Sequence, residues 1–143
     1  LLGTVYALIN EARSQERKCG SVTMPAVGPL KYSAAIARAA QKHAEDMAVN
    51  KYFDHTSLDG SSFVDRLRAA GYRGDPAGEN IASGYSTAQE AVRAWLNSPG
   101  HCRNLMERGF DDTGLGFATS DDPRYTVQVT YWVQNFGFDT SVS

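Results

Sequence analysis

The fold predicted from the sequence is α+β, a three-layer α-β-α sandwich with a small antiparallel sheet between helices. Three observations carry that expectation. Apolar residues recur at three-and-four spacing through most of the first 100 positions, as in helices packed on one side. From Thr113 the pattern switches to the two-residue alternation of strands. The last alternating run has apolar residues on both faces, so cover is expected on both. At 143 residues the chain fits one domain, 1–143, large enough to bury a single core.

The elements follow in order. From Thr4 to about Lys18, Val5, Leu8, Ile9 and Ala12 share a helical face. The segment from Ser21 to Leu30, with Pro25, Gly28 and Pro29, reads as a connector that starts just after Cys19. Ser33 caps a second helix running to Asn50, with Ile36, Ala39, Ala40, His43 and Met47 on one stripe. His43 reads there as a packed residue with one hydrogen bond rather than a ligand. Asp54-His55-Thr56-Ser57 enters a turn, and Ser62 caps a short helix, Phe63 to Ala70, closed by Gly71.

Gly74 to Gly78 reads as a turn region, and Glu79 to Ser83 as a brief strand or an irregular crossing. Thr87-x-x-Glu90 matches a capping box ahead of a helix whose inner face is Ala91, Val92, Trp95 and Leu96. Ser98-Pro99 restarts the chain as N-cap and first helical residue, which sets His101 and Cys102 in the first turn of another helix. GLGFATS and RYTVQVTYWVQNFGF are the strands, separated by a turn at Ser120-Asp121-Asp122-Pro123. In the second strand Tyr125, Val127, Val129, Tyr131 and Val133 share one face, while Thr126, Gln128, Thr130, Trp132, Gln134 and Phe136 share the other, so neither face is wholly polar.

Charge excludes some partners. Fourteen basic against sixteen acidic residues leave a net charge of -2, and the basic residues are scattered, which argues against nucleic acid. No apolar run reaches the length of a membrane-spanning helix, and the first residues have helical periodicity rather than a signal-peptide layout, so any export signal is expected to lie outside this sequence. A monomer is expected. Cys19 and Cys102 permit one bridge or stand as two buried thiols, and neither sits in a CxxC motif.

Chemistry concentrates between Gly78 and Asn104, where Glu79 opens the stretch and His101 and Cys102 close it. His55 is the other histidine on a turn-rich loop. It reads either as an exposed loop imidazole or as a partner of Glu79 and His101 in one pocket. Two imidazoles and a carboxylate are the ligand set of a catalytic-type zinc site with one open position. Alternatively, Glu79 accepts a hydrogen bond from an imidazole, fixes its tautomer and raises its pKa.

FDHTSLDGSSFVDRLRAAGY, GENIASG, AVRAWLNSPGHCRNLM and YWVQNFG together resemble the bacterial, SCP-like branch of the CAP superfamily, which groups cysteine-rich secretory, antigen 5 and pathogenesis-related 1 proteins. The resemblance spans nearly the whole chain and implies the same α-β-α sandwich. It also implies a cleft lined by two histidines and two acids, and His55, Glu79 and His101 match three of these. The fourth acid falls three residues after Trp95, where this chain has Ser98. The expected ligand cleft is therefore His55, Glu79, Ser98 and His101. His55 and His101 are the expected metal ligands, for zinc or another divalent cation.

The resemblance further implies a Cys19–Cys102 disulfide and, with it, a secreted or periplasmic location. The first functional expectation is a non-enzymatic binding module for a divalent metal or small ligand, with apolar surface for lipid or sterol. A hydrolase using His55, Glu79 and His101, with Ser98 or a metal-bound water as nucleophile, is the alternative. A structural protein of the cell envelope is the third reading.

Overall fold

Leu2–Arg13 forms α1 in a computed structural model that describes residues 1–121, 124 and 128–140. The helix stops short of Lys18 because Arg17–Cys19 (β1) turns back through Gly20-Ser21 to pair with Val22–Met24 (β2). Gly20 has φ +65°, which suits glycine in so tight a reversal. The expected connector thus holds a small hairpin. Lys31–Tyr32 (β3) follows, and then α2, Ala34–Asn50, with the Ser33 hydroxyl accepting from the Ile36 amide as its cap.

Phe63–Ala69 is α3, Asp75–Ser83 is β4, Ala88–Leu96 is α4 and Pro99–Leu105 is α5. The strands Asp112–Ser120 (β5) and Val129–Phe138 (β6) complete the domain. A full capping box forms at Ser62 and Asp65. At Thr87, where the sequence pattern placed one, the hydroxyl accepts from the Glu90 amide and no return bond from the Glu90 side chain occurs among the described contacts. The expected Asp122-Pro123 part of the last turn, and the expected strand residues Tyr125, Thr126 and Val127, lie outside the described residues.

The main sheet has the order β3-β5-β6-β4. Its β5–β6 and β6–β4 pairs are antiparallel, but the two-residue β3 pairs parallel to β5, so the sheet is not wholly antiparallel. β4 begins at Asp75, within the expected turn region, and its register shifts between Pro76 and Gly78. Proline is tolerated there because β4 is an edge strand, where a missing amide costs no ladder bond.

The two faces of the sheet are both covered, as the alternation of β6 requires. On one face Leu115, Trp132 and Phe136 join Val5, Ile9, Val92, Trp95 and Leu105 from α1, α4 and α5. On the other, Ile81, Tyr131 and Val133 join Ala40, Ala44 and Met47 from α2. Trp95 also donates its indole N–H to the Ile81 carbonyl at 3.1 Å, tying α4 to the edge strand. Arg13, a charged residue of α1, is only 2% exposed. Its guanidinium donates to the carbonyls of Gly28, Leu105 and Glu107, which ties α1 to the segment after α5.

α2 approaches β5 so closely that a methyl group at Gly114 would lie 2.2 Å from the Ala37 amide nitrogen. Rigid backbone on both sides cannot yield as a side chain would. Gly114→Ala is expected to cost about 2 to 3 kcal/mol by forced overpacking, measured by urea denaturation. An unchanged midpoint would mean that the α2–sheet contact is looser than described.

Candidate functional site

β4 brings the two halves of the site together because alternate residues of an edge strand point to opposite faces. Glu79 pairs in register with Asn135 and turns to the α2–α3 side, where the loop carrying His55 lies. Asn80, the next residue, serves the α5 side: its amide donates to the His101 carbonyl at 3.3 Å, and Asn104 donates to the Asn80 side-chain oxygen at 2.9 Å. His55 and His101 therefore reach the sheet edge from different layers.

His55 Nδ1 lies 2.7 Å from Glu79 Oε1. The Glu79 side chain is 1% exposed, whereas that of His55 is 57% exposed. The second carboxylate oxygen, Oε2, accepts from Arg66 Nη2 at 2.5 Å and from Asn135 Nδ2 at 3.0 Å. Both oxygens of Glu79 are thus engaged by protein groups. Burial pushes the Glu79 pKa up, but the bond from His55, the Arg66 charge and the Asn135 amide outweigh it and hold the group below the ordinary carboxylate range. A carboxylate there accepts, so His55 Nδ1–H donates. Nε2 of the neutral ring then keeps its lone pair. The Glu79 hydrogen bond raises the His55 pKa against opposing burial.

His101 is oriented differently. Its Nδ1 lies 2.8 Å from Ser98 Oγ, and Ser98, although the N-cap residue of α5, makes no side-chain cap bond. The hydroxyl at the place of the fourth acid is engaged with the imidazole instead of capping the helix. Burial, and the neighbouring His55 charge after it, lower the His101 pKa. Behind His101, Cys19 and Cys102 form a disulfide with a Cα–Cα distance of 5.3 Å. The bridge is fully buried with Met106 and fastens the first turn of α5 to the β1–β2 hairpin.

Two neighbours hold the loop that carries His55, and the first of them carried no sequence signal. Arg66 looks like an ordinary exposed charge of a short helix, yet its side chain is 8% exposed. Besides Glu79 it donates to the His55 carbonyl at 2.9 Å, to Ser57 Oγ at 2.9 Å and to the Ser61 carbonyl at 3.1 Å. His43, expected to be packed with one hydrogen bond, pins the same loop: Nε2 donates to the Asp54 carbonyl at 2.8 Å, and Nδ1 faces the Ser57 hydroxyl at 3.3 Å. Burial lowers its pKa, with Arg66 acting in the same direction. The His55 loop is therefore held from both flanks.

Among the described residues, no group of three or more His, Cys, Asp or Glu side chains comes together as a metal cage. Glu79 is spent on His55, Arg66 and Asn135. His55 and His101 are each engaged through Nδ1, by Glu79 and by Ser98.

The fold is a disulfide-pinned α-β-α domain in which His55 and His101 approach the edge strand β4 from different layers. The sequence profile described as "CAP: Cysteine-rich secretory protein family" matches residues 6–136. The chain belongs to this family. It is 34% identical over 108 residues to the uncharacterized protein YkwD of Bacillus subtilis, covering 76% of this chain and 39% of that protein. A solved extracellular protein of Bacillus anthracis containing an SCP domain superimposes with a TM-score of 0.78 at 30% identity, over 96% of this chain and 40% of that one. An outer surface protein of Borrelia burgdorferi shares the fold, with a TM-score of 0.73 at 21% identity, over 96% and 92% of the two chains. The chain thus spans less than half of YkwD and of the Bacillus anthracis protein. No helix among the described residues is long and apolar enough to cross a membrane.

Proposed function

We propose that this domain is a secreted, non-enzymatic binding module whose cleft takes a divalent cation, such as zinc, or a small polar ligand between His55 and His101. One observation carries the reading: each imidazole is held through Nδ1, by Glu79 for His55 and by Ser98 for His101, which leaves Nε2 as the nitrogen of each ring for a ligand. Donation from His101 Nδ1–H to the Ser98 hydroxyl is part of this reading. A bound cation would supply a Lewis-acidic centre with positions open to solvent or ligand. Apolar surface beside the cleft, by analogy with the family, would serve a lipid or a cell-envelope ligand.

The hydrolase alternative is less well supported. Glu79 orients His55 while Ser98 engages His101, so carboxylate, base and hydroxyl do not line up on one ring. Secretion is supported by the buried Cys19–Cys102 bridge, which persists in oxidising compartments.

Equilibrium dialysis with zinc is the test. About one equivalent is expected to bind the parent, with His55→Ala or His101→Ala each weakening it at least tenfold. Binding should fall with acidity, and because the His55 pKa is raised, the fall begins at a higher pH than for an ordinary imidazole. Retention of full stoichiometry by both variants would refute the cation reading.

A further inference from the structure

Both ring nitrogens of His43 are spent on the loop that carries His55, although His43 itself belongs to α2 and is 1% exposed. Because Nε2–H donates to the Asp54 carbonyl at 2.8 Å, Nδ1 of the neutral ring is an acceptor, and the Ser57 hydroxyl donates to it at 3.3 Å. The same Ser57 oxygen accepts from Arg66 Nη1 at 2.9 Å. Donation therefore runs one way, from Arg66 to Ser57, from Ser57 to His43 and from His43 to the loop carbonyl. Only a neutral ring fits that order.

A proton on Nδ1 turns the acceptor into a donor, so two cations, Arg66 and His43, would both donate into the Ser57 oxygen. The hydroxyl hydrogen can turn to Tyr52, but the second charge stays. Tyr52 also lies edge-on to the ring, with centroids 6.1 Å apart, and its hydroxyl binds Asp46. Two carboxylates act against the Arg66 charge, and both are engaged already. Asp46 accepts from Tyr52 and Asn50, and Glu79 accepts from His55, Arg66 and Asn135. The Asp54 carboxylate accepts from the Thr56 amide. Burial, and the Arg66 charge after it, accordingly lower the His43 pKa against the pull of Glu79, the Asp54 bond and Asp46.

We propose that His43 is an acid-sensitive latch: neutral, it closes the loop at residues 54–61 against α2, and protonated, it releases that loop and His55 with it. His43, Ser57 and Arg66 line a groove of about 750 Å³ between α2, the loop and α3, so water reaches the ring as the loop lifts and solvates the new charge. The sign is definite. The folded pKa of His43 is lowered, so its contribution to closure is complete above the ordinary histidine value of about 6.5 and is lost progressively as pH falls below it. His55 acts in the other direction and in another window: its pKa is raised, so its bond to Glu79 tightens the loop as pH falls towards that same value. The latch stands whether or not the cleft takes a cation, and only the release of a cation on opening rests on that reading.

Amide hydrogen exchange of the metal-free protein, read as protection factors from about pH 7.5 to about pH 5, tests the latch. The Ser57 and Gly60 amides donate to the Ser61 and Ser57 carbonyls within the loop. Below about pH 6.5 their protection should fall by up to about tenfold per pH unit, the slope for one proton taken up on opening, while amides in the β5–β6 ladder keep theirs. His43→Gln should flatten the dependence, because its amide can still donate to the Asp54 carbonyl but takes no charge. His55→Ala should retain the slope, which keeps the test open if the glutamine variant does not fold. Protection independent of pH in the parent, an unchanged slope in folded His43→Gln, a slope lost in His55→Ala, or an equal fall across β5 and β6 would each overturn the proposal. Zinc uptake is measured separately: a protein whose loop opens in acid but which binds no zinc contradicts the cation reading and leaves the latch intact.

Discussion

Replacing both Cys19 and Cys102 by alanine is expected to lower stability by about 4 to 5 kcal/mol, because the bridge closes a loop with a sequence separation of 83 residues. For a chain of this size that corresponds to a fall in Tm of roughly 10 to 18 °C. The loss should also be local. With the bridge gone, the first turn of α5 remains tied to β4 through Asn80 and Asn104, but it loses its hold on the β1–β2 hairpin. Amide hydrogen exchange should rise first in residues 17–24 and 99–105. Thermal scans of the oxidised parent, the reduced parent and the double variant measure this directly. If the three melt within 2 to 3 °C of one another, the bridge is not what positions His101.

Arg66→Met is the second large effect, expected to cost about 3 to 5 kcal/mol at neutral pH, the range for removing one partner of a buried ion pair. Methionine keeps much of the volume, so the loss isolates charge and hydrogen bonding. Glu79 would remain buried with one cationic partner removed, and the His55 and Ser61 carbonyls would each lose a donor. Arg66→Lys should fall between, because an ammonium group cannot reproduce the planar fork that serves four acceptors. The pH dependence has a definite sign. The folded pKa of Glu79 is depressed, so its contribution is present above the ordinary carboxylate pKa and is lost as pH falls through the folded value. The difference between parent and Arg66→Met in urea denaturation should therefore shrink in acid. A difference that stays constant down to pH 3 would mean that Arg66 acts through packing alone.

Much of this was legible from residue patterns. Helical spacing and the apolar faces of the last strand led to the layered fold, and Ser33, Ser62 and Thr87 each cap as their positions imply. The departures lie where tertiary contacts override local signals. Arg17–Cys19 leaves the helical pattern because Cys19 is tied to Cys102, and Pro76 enters a strand because that strand is at an edge. Arg66 is the clearest case. A charge on a short helix carries no mark of burial, since the carboxylate that draws it inward lies 13 residues away on another element. Ser98 was legible as an N-cap by position, while the use of its hydroxyl on His101 depends on a side-chain rotamer that sequence does not encode.

The arrangement of the imidazoles is open to direct measurement by long-range 1H–15N spectra of the three histidine rings at a pH above their titration. His55 and His101 should both carry the proton on Nδ1 and a lone pair on Nε2. His43, which donates from Nε2 to Asp54, should show the opposite tautomer and serves as an internal control. One equivalent of zinc should shift the Nε2 signals of His55 and His101 together and leave His43 unmoved. An Nε2-protonated tautomer at either cleft histidine, or a zinc response at only one of them, would contradict a cation site built on both.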